Sequence, residues 1–277
     1  MSLSAQRVAI LGTGNIGSAI ARGLTASGLV PAKNITLTRR NLEHLAPFAS
    51  EGYATVQDNV LAVRQSELVV LSVTPRQLNG VLDEIRDVLE PRHTVISIVS
   101  GATIAEIGSR LKPGAQIIRV MPNTAIAIRE SMTCISANGV EQSRLEVVRQ
   151  LFEAMGKVVL IEEALMVPAT ALCACGIAFF LRAIRAASQG GIEIGFHAED
   201  ALLMAAQTAR GAASLLVMQG NHPEGEVDKV TTPQGCTISG LNQMEHYGFS
   251  SALIRGIVTS AEKAAVLYAP RPVSKDQ

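Results

Sequence analysis

RVAILGTGNIG, Arg7 to Gly17, decides the architecture. RVAIL is a short apolar run rich in β-branched residues, the pattern of a buried strand. GTGNIG follows at once, and Ile16, Ile20 and Leu24 then recur at every fourth position until Gly28. A strand that ends in G-x-G-x-x-G and opens a helix is a phosphate-binding turn. Gly12 permits the tight turn, Gly14 lets a pyrophosphate approach the backbone, and Gly17 lets helix and strand pack closely. The N–H groups near Asn15, Ile16 and Gly17, with the helix dipole, favour the anion.

The beat set by this unit continues downstream. ITLT (Ile35 to Thr38), Ala54 to Val56, LVVLS (Leu68 to Ser72), TVISI (Thr94 to Ile98), QIIRV (Gln116 to Val120), MTCIS (Met132 to Ser136) and KVVLI (Lys157 to Ile161) read as strands. Helical patterns alternate with them: Leu42 to Ser50, from Asp58, Pro75 to Leu89, from Thr103 and from Glu141. The strands are mostly continuous in apolar character, as in a parallel sheet covered on both faces. After residue 161 strand signals stop. Glu163 to Gln189, His197 to Met218, Thr237 to His246 and Ser250 to Tyr268 read as helices. The expected organisation is a doubly wound α/β domain over 1–161 and an all-helical domain over 162–277. The helical part carries apolar residues on more than one face, so it is expected to dimerise through interlocking helices.

Composition limits the function. The 277 residues are 48% hydrophobic, and 24 Lys plus Arg balance 24 Asp plus Glu. That is a packed globular chain with no field to draw a polyanion, which argues against nucleic acid as a partner. Ala164 to Leu181 has no charge over nearly a membrane-spanning length. It contains Pro168, Thr170 and Gly176, and a helix buried inside an intertwined dimer explains it better than a membrane partner. Cys134, Cys173, Cys175 and Cys236 form no C-x-x-C pair, and with the scattered histidines they offer no metal spacing. Cys173 and Cys175 read as small apolar residues of a buried helix. Unpatterned cysteines and an N-terminus that enters a strand at once give a cytoplasmic expectation.

The end of the second strand chooses the cofactor. An NAD site wants an acidic side chain there for the ribose hydroxyl. This chain offers Thr38-Arg39-Arg40-Asn41, suited to a 2′-phosphate. NADP(H) is the preferred cofactor, with NAD(H) as the other option. SVTPRQ (Ser72 to Gln77), SIVSGAT (Ser97 to Thr103) and RVMPNTA (Arg119 to Ala125) leave strands on the same carboxyl edge and are expected to line the nicotinamide end.

One late stretch has no place in a plain helical domain. VTTPQGCTISGL, Val230 to Leu241, packs four hydroxyls, a proline and two glycines between apolar helical patterns. With RVMPNT and this loop, the whole chain resembles the pyrroline-5-carboxylate reductase family, which reduces a cyclic imine with NAD(P)H to make proline. The resemblance implies a Rossmann-type doubly wound sheet followed by an all-helical dimerisation domain, working as a homodimer or a higher oligomer. It places the substrate, a small cyclic imino acid, on Thr232, Gly235, Cys236 and Thr237 from the loop and on Met121, Pro122 and Asn123 from the other domain. It places the cofactor on Gly12, Gly14, Asn15, Ile16, Gly17, Thr38, Arg39, Arg40, Asn59, Val73, Thr74, Pro75, Met121 and Asn123. Thr237 would set its hydroxyl near the ring nitrogen as the catalytic residue. The chain departs from the family's usual pattern at Gln234, where a glycine is common, at Thr74, where a lysine is common, and in ALCACGIA (Ala171 to Ala178), where serines and a proline are common.

Hydride reduction of a C=N bond needs position and electrostatics from the protein, and a ring imine takes its proton from water near neutral pH. That suits a chain with no evident catalytic histidine or lysine. Thr237 also reads as a helix N-cap ahead of ISGLNQM. Glu199 and Asp200 read as dipole partners of a helix start, with His197 beside them. Two further readings stand on sequence: a related imine or β-hydroxyacid oxidoreductase, and a degenerate NADP(H)-binding paralogue without turnover. The absence of lysine from Glu163 to Gln189 argues against carbonyl reduction with lysine as the acid.

Overall fold

The computed structural model describes residues 3–268. In chain order the regular elements are β1 (Val8–Leu11), α1 (Asn15–Ala26), β2 (Ile35–Thr38), α2 (Ala46–Ser50), β3 (Ala54–Val56), α3 (Asn59–Arg64), β4 (Leu68–Leu71) and α4 (Pro75–Ile85). Then come β5 (Thr94–Ser97), α5 (Ile104–Gly108), β6 (Gln116–Met121), β7 (Ser131–Ala137), α6 (Gln142–Glu153) and β8 (Gly156–Leu160). The helical part holds α7 (Met166–Ala169), α8 (Gly176–Glu193), α9 (Ala198–Gln219), α10 (Pro223–Val230), α11 (Cys236–His246) and α12 (Phe249–Ala265). A π-helical stretch, Thr170–Cys175, lies between α7 and α8.

Eight strands form one sheet in the order β3-β2-β1-β4-β5-β6-β7-β8. β1 lies between β2 and β4, in register Leu11↔Thr38 and Leu11↔Leu71, so the segments leaving all three strands share one edge. β1, β2, β4 and β5 are buried at every position, which is why they read as unbroken apolar runs. Two apolar layers cover the faces. One gathers Ile10, Ile20, Leu24, Leu37, Ile118 and Phe152; the other gathers Leu11, Val69, Leu71, Leu78, Leu82 and Ile107.

The sheet is parallel except at one pair. β7 runs antiparallel to β6, in register Met121↔Cys134, and β8 then runs parallel to β7. The link from Pro122 to Glu130 holds only a 3-10 turn, Thr124–Ile128. A parallel return needs a crossover of a dozen or more residues. β8 also departs from the buried pattern, leaving Val159 and Leu160 half exposed.

The chain does not leave this body at residue 161. The described residues form two compact units, 3–175 with 260–268, and 176–259. Met166 and Ala169 pack on Met121 and Cys134. Glu163 accepts from the Ile104 amide at 2.6 Å and pairs with Arg119 at 3.2 Å. Arg119 is 2% exposed, so this pair ties β6, the start of α5 and the segment after β8 together away from water.

In the second unit, α8 and α9 pack closely at Gly191, where an added Cβ would meet the Ala201 Cβ at 3.0 Å. α9 starts as its sequence indicates, with His197 as N-cap and Glu199 and Asp200 in its first turn. Yet Ala201 is its one buried residue, and Phe180, Leu203 and Met218 are 61, 69 and 83% exposed in the single chain. Two helical stretches, Glu163–Glu193 and Ala198–Gln219, are long and apolar enough to cross a membrane by length and composition.

Space around glycines sets the sign of a simple test. A Cβ on Gly156, at φ +145, would sit 2.1 Å from the Ser131 carbonyl oxygen, whereas Gly80 has nothing within 4 Å. Gly156→Ala is expected to destabilise by about 3 kcal/mol, and Gly80→Ala, on the exposed face of α4, to stabilise by up to about 1 kcal/mol. Urea unfolding midpoints at unchanged m would show the two shifts in opposite directions.

Candidate active site

The carboxyl ends of β1, β2 and β4 enclose a cleft of about 410 Å³. Gly12, Gly14, Thr38, Arg39, Arg40, Asn59, Val73 and Thr74 line it, all of them indicated by the sequence. The three glycines divide their work as the motif requires. Gly12 has φ +94, and a Cβ there would meet the Ser72 carbonyl oxygen at 2.6 Å. A Cβ on Gly17 would lie 2.5 Å from the Gly12 carbonyl oxygen and 2.9 Å from the Ser72 hydroxyl. Gly14 has nothing within 4 Å, so it faces open cleft, where a side chain would take up the room a pyrophosphate needs. Gly14 is also the N-cap of α1, without a side-chain cap and with no acid in the first turn. The amides of Asn15, Ile16 and Gly17 therefore stand at the uncapped positive end of a twelve-residue helix. These residues fit a dinucleotide.

The part of the cleft beside Arg39 and Arg40 is more differentiated than the sequence shows. Thr38 is buried, and its hydroxyl donates to Asn59 Oδ1 at 2.6 Å while lying 3.3 Å from the Gly12 amide that donates to it. Asn59 Nδ2 donates in turn to Glu84 at 2.9 Å. Thr38 and Asn59 thus brace the turn. Arg39 donates from Nη1 to the Thr13 carbonyl at 2.9 Å, half-spent on the same turn. The Arg40 guanidinium is exposed and has no partner among the described residues. His44 and Gln57 line the same end. They were not evident in sequence, although strand order offers a signal for Gln57. β3 pairs beside β2 with Thr38↔Val56, so the residue after Val56 must lie near Arg39 and Arg40. Gln57 donates to the Arg40 carbonyl.

Thr74 and Pro75 open α4. Pro75 takes the first helical turn, and Gln77 Oε1 accepts from both the Thr74 amide at 3.2 Å and its hydroxyl at 2.8 Å. Met121, Pro122 and Asn123 are buried and do not line the cleft around the glycine turn. Asn123 is held on every side: its amide N–H donates to the Ser131 hydroxyl at 3.1 Å, Oδ1 accepts from the Ala125 amide at 3.1 Å, and Nδ2 donates to the Cys173 carbonyl at 3.3 Å.

The late loop belongs to the second unit. The Gly235 amide donates to the Thr232 carbonyl at 2.9 Å, closing a turn over Pro233 and Gln234. Gln234 has φ 59, a left-handed conformation that costs a side chain about 1–2 kcal/mol. A Cβ on Gly235 would lie 2.5 Å from the Thr232 hydroxyl, so this glycine is required by contact. One expectation is corrected here. The N-cap of α11 is Gly235 at φ −71 and ψ 159, not Thr237. Cys236 and Thr237 are the first two helical residues, and their amides, with that of Ile238, form the open first turn. Thr237 is half-buried there, while Thr232 and Cys236 are exposed.

Two family models match the chain. Residues 163–267 match the family model "Pyrroline-5-carboxylate reductase dimerisation", and residues 7–101 match "NADP oxidoreductase coenzyme F420-dependent". Pyrroline-5-carboxylate reductase 1 of Dictyostelium discoideum is 52% identical over 99% of this chain, which spans 52% of that protein's length. Among solved structures, a pyrroline-5-carboxylate reductase from Coxiella burnetii superposes with TM-score 0.86 at 27% identity, covering 96% of this chain and 99% of its own. The Plasmodium falciparum pyrroline carboxylate reductase with NADP bound shares the fold, with TM-score 0.88 at 22% identity over 96% of this chain and 99% of its own. Pyrroline-5-carboxylate reductase 2 of Dictyostelium discoideum is 46% identical over 94% of this chain and 92% of its own length. On that likeness, at 52% and 46% identity over nearly the whole chain, the chain belongs to the pyrroline-5-carboxylate reductase family.

Proposed function

We propose that this chain reduces 1-pyrroline-5-carboxylate to proline with NADPH in preference to NADH, as a homodimer joined through its helical region. The reaction class follows from the family, and the observation that carries the cofactor preference is the Arg40 guanidinium standing unpartnered among the described residues at the cleft's adenosine end. The other two readings lose ground here. No lysine appears where a β-hydroxyacid reductase would place it, and the glycine turn, the strand-end loops and the late helix turn all retain workable geometry.

Bound NADPH supplies the hydride. The protein's residues hold and aim. The open amides of Asn15, Ile16 and Gly17 hold the pyrophosphate, which Gly14 admits. Arg40, with Arg39, His44 and Gln57 around it, faces a 2′-phosphate; a guanidinium paired with phosphate is a charge-assisted hydrogen bond. The first-turn amides of α11 hold the imino acid carboxylate by the same physics that α1 applies to phosphate. Thr237, in that turn, orients the ring nitrogen by a hydrogen bond, and water supplies the proton. Met121, Pro122 and Asn123 support the nicotinamide side. Positioning of this kind accounts for most of the rate that such a site can provide.

The apolar flanks of α8 and α9 are best covered by a second copy. Arg182, Arg185 and Arg210 interrupt them, and the matched region is a dimerisation region. A hydrophobic interface of that kind holds without detergent. Sedimentation equilibrium in detergent-free buffer is expected to return at least twice the chain mass of 29.2 kDa, and a 29.2 kDa species at micromolar concentration would refute it.

Two substitutions separate the roles at the adenosine end. Arg40→Ala is expected to lower kcat/KM for NADPH by about 1.5–3 kcal/mol, roughly tenfold to a hundredfold, with little change for NADH. Arg39→Ala also removes a brace from the glycine turn, so it is expected to weaken both cofactors. Equal losses with both cofactors for Arg40→Ala would defeat the assignment.

Thr237→Ala tests the other end. With Gly235 as the cap, loss of the Thr237 hydroxyl should leave the melting temperature nearly unchanged and lower kcat/KM for the imine by about 1–3 kcal/mol. A stability loss with unchanged kinetics per folded enzyme would return Thr237 to a structural part.

A further inference from the structure

Cys134 and Cys173 are far apart in sequence and adjacent in space. Cys134 lies on β7 opposite Met121 of β6, and its Sγ is 4.0 Å from Cys173 Sγ in the π-helical stretch. Both belong to the small apolar cluster of Met121, Met166 and Ala169. Cys134 is buried and Cys173 is half-buried. Imine reduction uses no thiol, so nothing in the reaction explains a hydrogen-bonded thiol pair at this place.

The pair is chemically asymmetric. The hydrogen bond shared by the two sulfurs brings the Cys173 thiol down to about 7 despite the opposing effect of burial. The same hydrogen bond, together with burial, pushes Cys134 up. Cys173, the more exposed of the two, is the one that peroxide can reach, which suits it as the nucleophile and the buried Cys134 as the thiol that resolves it.

We propose that Cys134 and Cys173 form an oxidisable dithiol that peroxide closes to a disulfide, and that closure suppresses turnover through Asn123. The Cys173 thiolate attacks one oxygen of hydrogen peroxide, the O–O bond breaks, and the products are a Cys173 sulfenic acid and hydroxide. The Cys134 sulfur then attacks the sulfenic sulfur; the S–S bond forms, the S–O bond breaks, and the departing hydroxide takes the Cys134 proton to leave as water. Two thiols are oxidised by two electrons in all, and the peroxide is reduced to two waters.

The local fold allows the step and transmits it. The sulfurs must close from 4.0 Å to about 2.05 Å. Cys173 sits in a π-helical stretch, where the wide turn departs from the tight α-helical ladder and such stretches are often found at functional sites. The Cys173 carbonyl accepts the Asn123 side-chain amide at 3.3 Å, and Asn123 also caps the 3-10 turn Thr124–Ile128. Drawing Cys173 toward β7 therefore disturbs the residue after the sixth strand that the proposed site uses. Cys175, two residues on, has no sulfur partner among the described residues, and Cys236 is exposed in the other unit.

The consequence for turnover rests on Asn123 supporting the nicotinamide side, whereas the bond itself does not. The test uses the full-length reduced protein, treated with a few equivalents of hydrogen peroxide at neutral pH and then quenched with catalase. Intact mass is expected to fall by two hydrogens, peptide mapping to find Cys134 linked to Cys173, and kcat/KM for imine reduction to fall by about tenfold or more and return with dithiothreitol, given that a shift of about 1 Å can cost a hundredfold. Cys175→Ser is expected to keep the link; Cys173→Ser and Cys134→Ala are each expected to lose it. Persistence of four free thiols, a link between another pair, or irreversible over-oxidation of Cys173 alone would overturn the dithiol. A link formed with unchanged kcat/KM would overturn its coupling to Asn123. A reduced protein that fails to reduce the imine would instead defeat the functional reading, because the mass measurement needs no substrate.

Discussion

The approach of Gly17 to the sheet is the constraint on which the rest depends. The first turn of α1 comes so near the ends of β1 and β4 that a methyl group on Gly17 would overlap the Gly12 carbonyl and crowd the Ser72 hydroxyl. The Ser72 amide donates to the Leu11 carbonyl at 2.9 Å, so the same contact fixes where β4 ends against β1. With α1 seated there, its uncapped N-terminus points along the carboxyl edge of the sheet, and Gly14 is left bare beside it. The site is thus an outcome of packing. Three glycines buy backbone closeness, and the closeness leaves a row of amides open to an anion.

Much of this is legible in sequence because it is local. The β1 turn, the run of strands and the change from alternation to helix each depend on neighbours within a dozen residues, and they stand where the pattern indicates. What was not legible is long-range or depends on direction. The reversal of β7 follows from a link too short for a crossover, but the apolar run of MTCIS is the same in either direction. α10 carries a helical opening in His222-Pro223-Glu224, yet its apolar content is too thin for a periodic signal. The Arg119–Glu163 pair joins residues whose nearness appears only once β6 and the segment after β8 are side by side. Cys173 looked inert for the same reason, since its partner is neither its neighbour Cys175 nor any residue on its helix.

The site residues show a related split between type and use. Thr38 and Asn59 have the right chemistry for a ribose phosphate, yet they spend it on each other and on Glu84. Arg39 is shared between turn and cleft. Only burial and hydrogen-bond partners separate a residue that contacts a ligand from one that supports the turn beneath it, and neither is visible in a one-dimensional pattern. The same holds for Thr237, a residue type that sequence reads as a cap. The backbone before it turns one residue earlier, at Gly235, and that frees the hydroxyl from capping.

Gln234 shows why that earlier turn matters. The resemblance expects glycine at this position, and the backbone does adopt the left-handed region that glycine favours, at φ 59. A glutamine there carries a strain of about 1–2 kcal/mol in the folded loop. It also has fewer unfolded conformations to lose than glycine, an offset of about 0.4–1 kcal/mol. Net stability therefore changes little, but the distribution of the loop's conformations changes more. Gly235 is pressed against the Thr232 hydroxyl on one side and bonded to the Thr232 carbonyl through its amide, so the turn is determined from both flanks. A loop whose middle residue is poorer in alternatives would lose less freedom on binding the carboxylate that we propose for the amides of Cys236, Thr237 and Ile238. The departure from the family's glycine thereby favours preorganisation of the proposed anion site rather than its loss.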